Sequence, residues 1–115
     1  MANADCLFCR ILSGEIPARK VFEDEHMFAF EDIHPGAPTH ILLVPKRHLR
    51  GLAEAEAADA ALLGEMQLRA AALARERGLK GGYRTVLNVG PDAGQSVFHL
   101  HLHLLGGRAL AWPPG

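Results

Sequence analysis

The sequence predicts an α+β fold: a mainly antiparallel five-stranded sheet with one long and one short helix. Three observations carry this expectation. Short runs rich in β-branched and aromatic residues outnumber helical ones, a single long Ala/Leu/Glu/Arg stretch lies between the third and fourth of them, and the first two are joined by only two polar residues, Glu25 and His26, as in a hairpin. With 115 residues, 49% of them hydrophobic, the chain supports one core. A single domain over residues 1–115 with a short tail from about 106 to 115 is expected.

The elements follow in order. Residues 5–13, DCLFCRILS, open on Asp5, a residue type that caps helix N-termini, and close before Gly14; this predicts a short helix with Leu7, Phe8 and Ile11 turned inward. GEIPAR interrupts it. KVFED (20–24) and MFAFED (27–32) make the hairpin, and IHPGAPTH (33–40) is a loop. ILLVP (41–45), continuously apolar and ended by proline, reads as a buried central strand. From about 55 to 77, Leu62, Leu63, Met66, Ala70 and Leu73 recur at three- and four-residue spacing, with Gly78 placed to end the helix. YRTVLNV (83–89) and VFHLHLHLL (97–105) are the remaining strands, joined by the tight loop GPDAGQS (90–96). The closing WPPG continues neither helix nor strand, and Trp112, the only tryptophan, is expected to pack on a neighbouring surface.

Composition sets limits on function. Lysine and arginine number 12 against 13 aspartate and glutamate, so a formal charge of -1 gives no general attraction to nucleic acid or to acidic membranes. The N-terminal MANADCLFCR lacks a signal-peptide pattern and no apolar run approaches the ~20 residues that span a bilayer. A cytoplasmic protein that binds neither nucleic acid nor membrane is expected. The only cysteines, Cys6 and Cys9, are one helical turn apart, which suits small buried hydrophobes or metal ligands better than a disulfide.

The chemistry concentrates in GQSVFHLHLHLLGG (94–107). On a strand, His99, His101 and His103 share one face and Leu100, Leu102 and Leu104 the other, with successive histidines ~7 Å apart. Such a face can be merely polar, or it can supply a three-histidine zinc site, although neighbours on one straight strand converge poorly on an ion. A third reading is nucleophilic catalysis by a neutral imidazole whose neighbours fix its tautomer and protonate a leaving group. The preceding Gly94, Gln95 and Ser96 favour the third, because a turn of this kind presents backbone N–H groups to phosphate oxygens.

HLHLHLL, together with FEDIHPGAPTH, ILLVPKRH, NVGPDAGQSVFHLHLHLLGGR and the terminal WPPG, resembles the histidine triad superfamily, in its branch of nucleotide-binding purine nucleoside phosphoramidases. The likeness runs from CLFCRILSGEIPA to Gly115. It implies a hydrolase that cleaves the P–N bond of AMP amidates through a nucleotidyl-histidine, with aminoacyl-adenylates presenting the same α-phosphate. By the same resemblance His101 is the nucleophile, His40 its supporting neighbour, His103 the contact to phosphate and leaving group, Ser96 a donor near the departing nitrogen, and His99 a member of the array. Asn88, Gly94, Gln95 and Ser96 would hold phosphate, Asp32 the ribose hydroxyls, and Phe8, Ile11, Ile16, Phe30, Ile33 and Leu42 the purine. The resemblance further implies no cofactor for the chemistry, a structural zinc at Cys6, Cys9, His48 and His99, and a homodimer that brings Trp112 near the partner's site. Two other functions stay open on the sequence: a dinucleoside polyphosphate hydrolase that uses the same triad, and a nucleotide-binding scaffold with incidental catalysis.

Overall fold

A computed structural model describes residues 5–115. The elements are α1 (Leu7–Leu12), β1 (Lys20–Glu23), β2 (Met27–Glu31), β3 (Thr39–Pro45), α2 (Ala60–Glu76), β4 (Tyr83–Val86) and β5 (Leu102–Gly106). The five strands form one sheet in the order β1-β2-β3-β5-β4, and every neighbouring pair is antiparallel. The expected fold class, hairpin and central strand are all present. β3 is buried along its whole length because β2 and β5 flank it and both of its faces are covered.

The pleat sorts side chains between two cores. Ile41 and Leu43 of β3 and Leu102 and Leu104 of β5 face α2, where Met66, Ala70 and Leu73 meet them. Leu42, Val44 and Phe30 face the other way and pack with Cys6, Phe8 and Cys9 at the start of α1. Cross-strand partners share a face, so the pairings Phe30↔Leu42 and Leu42↔His103 set a phenylalanine, a leucine and a histidine in one row across β2, β3 and β5. Burial of these two cores is the main source of stability.

Several element boundaries differ from the sequence expectation, among them the start of β3 at Thr39 rather than 41, which puts His40 on the strand and not in the loop. The N-cap of α1 is Cys6, whose Sγ accepts the Cys9 N–H at 3.4 Å, rather than Asp5. The long helix starts at Ala60 instead of near 55; two short 3-10 turns precede it, and Asp59 accepts the Glu56 N–H at 2.8 Å, so capping chemistry overrides the helical composition there. Its C-terminus is as expected: Gly78 has φ 69°, and the N–H groups of Gly78 and Leu79 donate to Arg75 and Ala74. β4 ends at Val86 rather than 89, and β5 begins at Leu102 rather than 97. His99 and His101 therefore precede the ladder. The segment they occupy is held by other means, among them the Leu100 N–H donating to Leu49 O at 2.6 Å. The tail after Gly106 has no helix or strand, and Trp112 stays 79% exposed, tied back through Arg84, which donates to Ala111 O and lies 5.9 Å from the indole ring centre.

Candidate active site

On the sheet face opposite α2, a cavity of about 310 Å³ opens, within the ~300–1,000 Å³ of small-molecule clefts. Phe8, Ile11, Ile16, Phe30, Ile33 and Leu42, the residues that the resemblance assigns to the purine, all line it. Ile33 stands at its rim, 82% exposed. Asp32, Ser96, His101 and His103 line the polar end. Leu7, Pro17, Ala18 and Val97 also contribute walls that the motif reading did not single out, as does His34, to which it gave no role.

The protons of this end can be assigned from the hydrogen bonds, since a carbonyl only accepts and an amide N–H only donates. His101 Nδ1 lies 2.8 Å from the carbonyl oxygen of His99 and must carry its hydrogen toward it. Burial pushes the His101 pKa below its ordinary value, which keeps the ring neutral. Its Nε2 consequently bears a lone pair. The Phe8 ring meets His101 edge to face at a centroid distance of 5.0 Å and fixes the plane of the imidazole.

The adjoining pair is ordered from the other end. Gly36 donates its N–H to His40 Nδ1 at 2.9 Å, so His40 carries its hydrogen on Nε2. That hydrogen points to His103 Nδ1 at 2.9 Å, with Asp32 Oδ2 at 3.4 Å as a second acceptor. His103 must then be protonated on Nε2, a buried nitrogen with no partner among the described residues. Burial lowers the pKa of His40, and the nearby Asp32 opposes this. For His103, burial and then the neighbouring His101 and His40 bring the pKa down to about 4. The cleft thus holds a bare nitrogen on His101 and an N–H donor on His103, with ring centres 5.0 Å apart.

Asp32, His40 and His103 also lie close enough together to suggest a metal site. The Gly36 amide argues against it. For His40 Nε2 to bind a metal, its hydrogen would have to move to Nδ1, against the Gly36 N–H. The cluster is built to hold protons. Nor do the three motif histidines converge on one ion, because the His99 ring turns away to Pro45 O at 2.8 Å.

The remaining expected contacts divide. Ser96 is exposed on the loop and lines the cavity. Gly94 takes the left-handed conformation at φ 95° that lets the turn close. Gln95 spends its side chain on the loop itself: its Oε1 accepts the Gly90 N–H at 2.9 Å and its Nε2 donates to Arg50 O at 3.0 Å. Asn88 is half-buried, past the end of β4, and does not line the cavity.

A second cluster lies behind the cleft, where Cys6, Cys9, His48 and His99 bring four donor atoms within 4.8 Å of one another. His99 Nε2 donates to Pro45 O, leaving Nδ1 bare and facing the cluster. This Nδ1 lies 3.1 Å from His48 Nδ1, 3.4 Å from Cys6 Sγ and 3.5 Å from Cys9 Sγ, and Cys9 Sγ is 3.3 Å from His48 Nδ1. Tetrahedral zinc with Zn–N ~2.0 Å and Zn–S ~2.3 Å requires edges of ~3.3–3.8 Å. The donor set suits zinc, the four separations of 3.1–3.5 Å lie near those edges with the remaining ones within 4.8 Å, and the carbonyl on the far nitrogen supplies the orienting contact that a ligating histidine needs. Burial raises the Cys6 thiol pKa and lowers that of His99 to about 4.

The HIT domain family matches residues 13–110. A 14 kDa zinc-binding protein of Zea mays is 50% identical over 115 residues, spanning 98% of this chain and 90% of the maize protein. Adenylylsulfatase HINT1 of Arabidopsis thaliana is 46% identical over 116 residues, 99% of this chain and 79% of that one. Among solved structures, a HIT family hydrolase from Legionella pneumophila superposes with a TM-score of 0.94 at 52% identity, covering 96% of this chain and 99% of its own. Among the described residues no helix is long and apolar enough to cross a membrane.

Proposed function

The chain belongs to the HIT domain family, and from that premise we propose that it is a nucleotide hydrolase that cleaves the P–N bond of purine nucleoside 5′-phosphoramidates. The observation that carries this reading is the pairing of a bare Nε2 on His101 with an unpartnered Nε2–H on His103 at the end of an apolar slot. Attack on phosphorus needs the first as nucleophile, and a departing amine is stabilised by the second as hydrogen-bond donor.

In the first step His101 Nε2 bonds to the α-phosphorus as the P–N bond breaks, while the leaving nitrogen, held by a hydrogen bond from His103 Nε2–H, takes a proton from water and departs as the amine, leaving hydroxide. Ser96, which lines the same cleft, donates a hydrogen bond to that nitrogen. In the second step that hydroxide bonds to phosphorus and the P–Nε2 bond breaks, which returns His101 to a neutral imidazole and releases the nucleoside monophosphate. Gly36, through His40, keeps His103 Nδ1 an acceptor throughout. Asp32 at the rim accepts from the ribose hydroxyls, and the apolar slot takes the purine. Its walls grip the face of the base and read little of its edge, so guanosine and adenosine amidates are both substrates. No cofactor enters these steps. Zinc, when bound at Cys6, Cys9, His48 and His99, supplies a structural crosslink between α1 and the segment before β5.

The same reading extends to a homodimer formed across β4, which is an edge strand of the sheet, with the Trp112 tail near the partner's cleft. The maize relative's zinc-binding name supports the Cys/His assignment. The Arabidopsis relative's name, adenylylsulfatase, supports attack at the α-phosphate of an adenylyl compound and makes adenylyl sulfate a second substrate to test.

The test compares AMP release from AMP amidate, adenylyl sulfate and diadenosine polyphosphates, with mass spectrometry of the quenched protein. The amidate should be cleaved fastest and leave an AMP adduct on His101. Faster cleavage of the polyphosphate would assign the rival hydrolase activity. AMP binding without cleavage of any of the three would leave a nucleotide-binding scaffold.

A further inference from the structure

The nucleophile lies where the sheet gives it no support. Ladder pairing of β5 begins with Leu102↔Leu43, so His99, Leu100 and His101 precede the ladder, and of the three only His101 lines the cleft. What holds His101 Nδ1 is the carbonyl of His99, and what holds His99 is its ring together with the Leu100 N–H of the same peptide, which donates to Leu49 O, next to His48, at 2.6 Å. One ring nitrogen is pinned to Pro45 O at the end of β3, and the other faces Cys6, Cys9 and His48. Helix α1 reaches the nucleophile by a second route as well. Phe8, between the two cysteines, packs edge to face on both His99 and His101, at centroid distances of 6.1 Å and 5.0 Å.

We propose that His99 is a positioning residue through which metal binding at Cys6, Cys9, His48 and His99 sets the tautomer and placement of the His101 imidazole. The cluster does the work that ladder hydrogen bonds do further along β5. With an ion held by these four residues, the His99 ring and its main chain would be fixed, and the His99 carbonyl would keep the hydrogen of His101 on Nδ1. Without the ion, only thiol and imidazole hydrogen bonds close the cluster, the Leu100 N–H to Leu49 O bond is left as the main-chain tie, and the His99 carbonyl has more freedom to drift from the His101 ring. The coupling is reciprocal: a nucleotide that engages His101 tightens metal binding by the factor by which metal tightens nucleotide binding. The inference rests on the hydrolase reading only for its kinetic consequence; the tautomer itself can be read without any substrate.

The experiment records the nitrogen-15 imidazole spectrum of the full-length protein, zinc-loaded and after chelation, below its melting temperature, alongside kcat on AMP amidate. The zinc-loaded protein should show His101 as one Nδ1–H tautomer. After chelation that signal should average toward a mixture, and kcat should fall about 10-fold, in the range seen when the support of a site is removed. An unchanged His101 signal in a folded, metal-free protein would overturn the proposal. Should chelation unfold the chain, loading with the larger cadmium ion decides: the signal must shift while the fold is retained, and a signal identical to that of the zinc form overturns it. If the protein cleaves no amidate but the tautomer still responds to metal, the hydrolase reading fails and the coupling stands.

Discussion

Two histidine clusters sit on either side of residues 99–101, similar in composition and opposite in what they can do. In one, Cys6, Cys9, His48 and His99 turn a bare Nδ1 inward because a carbonyl, Pro45 O, holds the hydrogen of His99 on the far nitrogen. In the other, His40 cannot present a bare Nε2, because an amide, the Gly36 N–H, already occupies the lone pair on Nδ1. A carbonyl behind an imidazole makes it a ligand or a nucleophile, and an N–H behind it makes it a donor. By that rule His99 and His101, both backed by main-chain carbonyls, point lone pairs forward, and His40 and through it His103 point hydrogens forward. Backbone partners assign these roles to four otherwise identical side chains.

The sharpest way to break this comparison is to remove one member of each cluster. Substituting His101→Ala deletes the forward lone pair of the catalytic cluster, and AMP amidate turnover should fall by more than about 10⁴-fold, as for other nucleophile deletions. Zinc affinity measured by competition with a chromogenic chelator should stay high, because His101 is not a ligand. Substantial residual turnover would remove His101 from its role. The converse, Cys9→Ser, deletes a ligand and should weaken zinc binding by roughly 10²-fold or more, while an AMP adduct still forms at His101 on prolonged incubation. Loss of the adduct with zinc affinity intact would reverse the assignment of the two clusters.

The sequence made one half of this comparison visible and hid the other. Alternation in HLHLHLL correctly separates the leucines, which join the core under α2, from His101 and His103, which face the cleft. Side-chain alternation says nothing of ladder pairing, so the start of β5 at Leu102 and the unladdered histidines were not legible. Gly36 was legible only as part of a turn, since its contribution is a main-chain N–H with no side chain to read. Gln95 illustrates the same limit: a motif position expected at phosphate proves to brace its own loop, which only the Gly90 and Arg50 contacts reveal. Family resemblance located the four cluster residues at once. Spacing alone could not have joined Cys6 and Cys9 to a histidine 90 residues away from the latter.

Acid titration sharpens the comparison within the catalytic cluster. His103 has a pKa of about 4 in the folded protein, chiefly because it is buried, against an ordinary value of ~6.5. The unfolded chain therefore binds more protons between these values, so the stability this ring contributes is present above ~6.5 and is lost as pH falls toward 4. Protonation would also place an Nδ1–H against the His40 Nε2–H and break the relay. Since His101 is lowered in the same direction, kcat should stay level from neutral pH to below ~6.5 and decline only in more acidic solution. A decline centred at or above that ordinary value would show that burial does not control the cluster.

The smallest expected effect concerns Asp32, which touches both the ribose end of the slot and the relay. One carboxylate oxygen accepts the His34 N–H at 2.8 Å, and the other lies 3.4 Å from His40 Nε2. In Asp32→Asn the amide carbonyl can keep the His34 contact, and the amide nitrogen then replaces an acceptor with a donor. His40 still has its shorter partner, His103 Nδ1 at 2.9 Å, so the relay survives and the loss falls on ribose recognition. KM for AMP amidate should rise about 10-fold, the scale of one charge-assisted hydrogen bond, with kcat nearly unchanged. Discrimination against the 2′-deoxy substrate should shrink with it. A fall in kcat at constant KM would instead make Asp32 part of the proton relay and remove it from the ribose site.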